Sequence, residues 1–91
     1  MQTDNKKLYR NSSFYTVVFL LLKGGLQLVS IEPSPMDANR SVFVLTDSPN
    51  RKQLLQDLNF APENSPSVLV DFRKAVAVIK NLKANLYQEK L

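Results

Sequence analysis

Three carboxylates, Glu32, Asp47 and Asp71, each fall at or just beyond the end of a stretch that reads as β-strand. A sheet that gathered them could hold a magnesium ion through oxygen ligands. With Lys23 or Lys52 assisting an attacking water, the result would be a metal-dependent nuclease. Each acid has a simpler use. Asp47 and Asp71 stand where helices should begin, and there a carboxylate meets unpaired amides and the positive end of the helix dipole. Glu32 suits a solvated position. No metal and no catalytic residue is therefore expected, and the chain reads as something other than an enzyme.

Composition removes further chemistry. There is no histidine and no cysteine. Ser12, Ser48 and Ser65 thus lack a partner for a conventional triad, and thiol nucleophiles, zinc knuckles and disulfides are excluded. The two glycines are adjacent, Gly24-Gly25, and no Lys-Ser or Lys-Thr pair comes after them, so no phosphate loop is present. No cofactor is expected.

Cations are the stronger signal. Up to Asp71 the charges cancel, with Lys6, Lys7, Arg10, Lys23, Arg40, Arg51 and Lys52 balanced by seven acids. Beyond it stand Arg73, Lys74, Lys80, Lys83 and Lys90 against Glu89 alone, which accounts for the whole net charge of +4. Arg73 and Lys80 are seven residues apart, two helical turns, with Lys83 and Tyr87 beside them and Lys74 on the flank. Phosphates call for such a row, and a tyrosine can stack on a base. The bland alternative is the solvated side of a helix whose other side is core.

The elements that would position these residues can be read from pattern. Residues 1–11, polar and lysine-rich without period, read as a flexible arm. Phe14 to Leu22, with Val17, Val18 and two Phe, also reads as strand by pattern, but the capping hydroxyls of Ser12-Ser13 and the stop at Gly24-Gly25 make it a helix, apolar all round. Basic residues before an apolar run also suggest a secretion signal, but Lys23-Gly24-Gly25 is a poor cleavage site. The run is also shorter than the ~20 residues of a spanning helix. Leu26 to Glu32 and Ser41 to Thr46 read as strands paired in an antiparallel hairpin. The second is apolar on both faces, as in a strand covered on both sides.

Ser48-Pro49 marks a helix start, and Leu54, Leu55 and Leu58 make one apolar stripe that ends by Asn59 and Pro62. Val68-Leu69-Val70 reads as a short third strand, with Asp71 capping the last helix. Phe72, Ala75, Val76, Ile79, Leu82 and Leu86 then recur at three- and four-residue steps as the apolar face of that helix, which reaches about Gln88. Phe43, Val44, Leu54, Leu58, Phe72, Val76, Ile79 and Leu82 are expected in the core.

This order resembles a family of small prokaryotic and phage proteins catalogued only as a domain of unknown function. The residues that carry the resemblance are Tyr15 and the helix running to Gly24-Gly25, Leu26 to Ile31, and Val42-Phe43-Val44 with Asp47-Ser48 after it. They continue with Leu54-Leu55, Val70-Asp71 leading into Arg73, Leu82-Lys83 and Leu86-Tyr87. The family tends to carry an arginine upstream of the Leu-Lys pair, where Lys80 is the nearest basic residue here. The resemblance implies an α+β fold and no particular activity.

The expected fold is α+β: an arm at 1–11, then one domain at 12–91. It should hold a small, mainly antiparallel sheet of two to three strands packed by three helices, in the order α-β-β-α-(β)-α. The expected function is a cytoplasmic, non-catalytic binding module that meets nucleic acid or an acidic protein through Arg73, Lys74, Lys80, Lys83 and Tyr87. The alternative is a homo-oligomeric accessory protein, assembled through apolar surface left over on the first helix and central strand. No membrane partner is expected.

Overall fold

The computed structural model describes residues 7–37 and 39–90. Its elements run β1 (Leu8–Asn11), α1 (Phe14–Lys23), β2 (Leu28–Pro33), β3 (Ser41–Thr46), α2 (Arg51–Phe60) and α3 (Phe72–Lys90). The result is an α+β fold of three helices and an antiparallel sheet in the order β1-β3-β2. No helix among the described residues is long and apolar enough to cross a membrane.

The central strand lies where the sequence places it, and its hairpin with β2 runs Ile31↔Phe43, Glu32↔Val42, Pro33↔Ser41. β2 begins two residues later than expected, because Leu26 and Gln27 serve other purposes. Leu26 is buried, and Gln27 exchanges hydrogen bonds with Thr46. The pairing is irregular between Leu28 and Ser30, which leaves Val29 exposed on a bulge.

The third strand corrects two expectations. Residues 8–11 are not an arm but β1, paired Tyr9↔Leu45, Arg10↔Val44 and Asn11↔Phe43. A segment of four residues with one aromatic is too short to show a period of two, and its place is set by the unpaired edge of β3. Residues 1–6 of the expected arm, with the side chain of Gln88, lie outside the described residues. Val68-Leu69-Val70 is not a strand. Ser65 O accepts from the amide of Val68, and Lys23 Nζ donates to Pro66 O at 3.2 Å and Leu69 O at 3.0 Å. The loop is thereby tied to the end of α1 instead of joining the sheet.

α1 is the structural centre. Val17, Val18, Phe19 and Leu20 are all buried, a complete turn of helix enclosed on every side. They share one cluster with Ile31, Phe43, Leu45 and Leu82, and Phe14 meets Phe43 edge to face at 6.1 Å. The helix does not begin with the expected hydroxyl cap. Ser13 occupies the N-cap without a side-chain bond, and Asn11 Oδ1 accepts from the Ser13 amide instead. It ends as expected, with Gly25 in the left-handed region at φ 69°. Val44 stands on the other face of β3 and is 1% exposed. Arg10 and Ser30 are its register partners, and an Arg10–Glu32 ion pair of 3.6 Å links the two strands that flank it.

α2 starts later than Ser48-Pro49 suggests. Asn50 is the N-cap, the Ser48 hydroxyl bonds the Asn50 carboxamide, and Pro49 lies in the preceding turn. Leu54, Leu55 and Leu58 lie against the core but remain half-buried. α3 is capped as expected: Asp71 Oδ1 accepts from the Lys74 amide at 3.1 Å. Its buried face, however, is rotated. Val78, Ile79, Leu82 and Leu86 meet the core, whereas Val76 is half-buried outside that set and Phe72 is 79% exposed. Side chains tilt toward the helix N-terminus, so a first-turn residue projects past the end of the packed body. Phe72 is therefore removed from the expected core.

Candidate nucleic-acid interface

The solvent side of α3 carries Arg73, Lys74, Lys80, Lys83 and Tyr87, and all five are exposed. At 100° per residue, Arg73, Lys80 and Tyr87 drift only about 20° per seven residues, so they form one line along the helix. Lys83 stands beside that line on the flank that also bears Val76 and Phe72. Lys74 does not join them. It lies about 100° away, in line with Asn81, which with Asn85, Leu21, Leu28, Val78 and Leu82 lines a shallow hollow of ≈ 180 Å³. The five expected residues thus divide into a row of four and one outlier.

Among the described residues no acid forms an ion pair with the row. The ion pairs there are Arg10–Glu32 and Arg51–Asp47, and neither involves α3. The first turn of the helix has no acidic residue. Arg73 and Lys74 sit there against the positive end of the helix dipole, an arrangement that costs a few tenths of a kcal/mol each. The Asp71 carboxylate at the N-cap stands at that same end and offsets part of this cost.

The carboxylate alternative finds its residues apart. Glu32 pairs with Arg10, Asp71 caps α3, and Asp47 is held by Arg51. Among the described residues no three His, Cys, Asp or Glu come together in a way that could hold a metal. Lys23, offered as an assisting lysine, is engaged with loop carbonyls. Of the surplus apolar surface expected on α1 and β3, Val17–Leu20 and Phe43–Leu45 are buried, while Tyr15 on α1 is exposed. Exposed apolar residues occur elsewhere, at Phe60 and at Leu69, Val70 and Phe72 around the start of α3.

Comparison of the chain with protein-family models, curated proteins and solved structures finds no match in any of the three.

Phe72 is the residue that sequence reasoning assigns to the wrong place. It fits the apolar period by one step, but a helix face is set by the neighbours it packs on. Val78, which also has the right hydrophobicity, is the competing signal. Counting Val78, Ile79, Leu82 and Leu86 as the stripe would leave Phe72 and Val76 on the cationic flank.

Proposed function

We propose that the protein is a non-catalytic module, cytoplasmic in setting, that binds nucleic acid through α3, with Arg73, Lys80 and Lys83 contacting phosphates. The observation that carries this reading is a cationic row without an ion pair among the described residues, on a chain otherwise neutral in charge. Phosphate contacts release condensed counterions, so affinity should fall steeply with salt and vary little with sequence. Fluorescence anisotropy with labelled oligonucleotides at several salt concentrations tests it. The combined Arg73→Gln, Lys80→Gln, Lys83→Gln variant spares the buried face and should flatten the log–log salt slope by about 2–3. A folded triple variant that binds like wild type, or a wild type without affinity at low salt, overturns the proposal.

The alternative, a homo-oligomer without a nucleic-acid role, draws support from Leu69, Val70 and Phe72, which lie close together in sequence and are all exposed. Light scattering at tens of micromolar distinguishes it, since a monomeric mass independent of concentration removes it.

A further inference from the structure

We infer that α3 takes nucleic acid as a single strand, with Phe72 and Tyr87 as stacking platforms at the two ends of the cationic row. The inference rests on the proposed phosphate-binding role of the same helix. Phe72 is 79% exposed and Tyr87 is 63% exposed. Neither takes part in an aromatic or cation–π contact among the described residues; those that occur involve Phe14, Tyr15, Phe43, Tyr9 and Arg51. At 1.5 Å per residue the two rings stand about 22 Å apart along the helix. Arg73, Lys80 and Lys83 lie between them.

That spacing decides the class of partner. A protein docking site concentrates its aromatic anchors in one dry, central pocket. Here the two rings are separated by charge, and the apolar side chains beside the row are half-buried Val76 and the small Ala77 and Ala84. A single nucleic-acid strand matches the pattern, because its flat apolar faces are themselves separated by phosphates. In a duplex those faces are stacked inside and out of reach. The span corresponds to about four nucleotides, the low end of single-strand site sizes. Each ring should be worth about 5- to 150-fold in affinity.

The test uses the full chain and three probes: a single-stranded oligonucleotide, its duplex, and inorganic polyphosphate as an anion without bases. Wild type should bind the single strand at least about tenfold tighter than the duplex. Phe72→Ala and Tyr87→Ala should each weaken single-strand binding about fivefold or more, with polyphosphate binding unchanged, and Tyr87→Phe should restore it. The chain has no tryptophan, so Phe72→Trp gives a lone reporter that the single strand should quench and polyphosphate should not. Equal affinity for single strand and duplex, with both alanine variants like wild type, overturns the stacking role while leaving the phosphate face intact. Absence of binding to all three probes overturns the phosphate reading itself. A lower mass by light scattering for Phe72→Ala, with single-strand affinity unchanged, makes Phe72 a self-association contact and overturns the inference.

Discussion

Arg51 joins two segments of the chain that are far apart in sequence, residues 9–13 and 47–51. Its Nε and Nη2 donate to the two oxygens of Asp47, each at 3.1 Å, and its guanidinium stands 4.1 Å from the Tyr9 ring centroid. Tyr9 Oη accepts from Asn11 Nδ2, and Asn11 Oδ1 in turn accepts from the amide that opens α1. One half-buried set of contacts therefore fastens β1, the start of α1 and the start of α2. The hydrogen bonds from Arg51 are the main reason the Asp47 carboxyl is held below its ordinary value, opposed by partial burial. A depressed folded pKa contributes stability above the unfolded value of about 3.9 and loses it as pH falls through the folded one. Asp47→Asn should therefore cost about 0.5–1 kcal/mol at neutral pH and nothing in strong acid. Urea midpoints for both proteins, followed from pH 7 downward into acid, check this: the gap should narrow as pH falls, and a gap that stays constant would show that the ion pair contributes nothing.

At the scale of elements, the sequence makes legible whatever repeats. β3 appears with its boundaries intact, since six apolar or hydroxyl residues between turns permit little else. α1 is bounded correctly at Gly24-Gly25, although the two glycines act differently. Gly25 supplies a left-handed φ, whereas a Cβ on Gly24 would stand 2.7 Å from Leu26 and Leu54 methyls and 3.0 Å from the Leu20 carbonyl. β1 is hidden because four residues, two apolar or aromatic and two polar, take their structure from the edge they join. The rotation of α3 is hidden because hydrophobicity alone gives Phe72 and Val78 equal claims. The two sides of that helix should respond differently to truncation. Leu82 is 2% exposed, so Leu82→Ala should cost about 2–5 kcal/mol. Phe72→Ala should stay within about 0.5 kcal/mol of wild type. Denaturant midpoints decide between them, and a Phe72→Ala loss comparable to that of Leu82→Ala would return the ring to the core.

For the whole molecule, the sheet order concentrates risk on the central strand. β3 carries Val42-Phe43-Val44-Leu45 and is protected on one edge by β2 and on the other by β1. β2 is joined to it by a local hairpin, but β1 returns from the far side of α1 and holds its place with four register pairs. Beyond the ladder, the amide of Asp47 donates to Lys7 O, and Tyr9 supplies the surface on which Arg51 rests. A chain starting at Ser12 loses all of these together and exposes a long apolar edge. Such an edge is a template for pairing with another copy, and two strands alone are marginal even with helices packed on one side. With a whole-domain stability of about 5–15 kcal/mol, the truncated chain should melt far below wild type or associate on standing. Thermal melts tracked by circular dichroism, with light scattering on the same samples, measure both outcomes. If the truncated chain keeps the wild-type midpoint and a monomeric mass, residues 8–11 are dispensable and the sheet is in effect the two-stranded hairpin. If it aggregates while Arg10→Ala and Asn11→Ala in the full chain stay monomeric, backbone pairing along β1 is what seals β3.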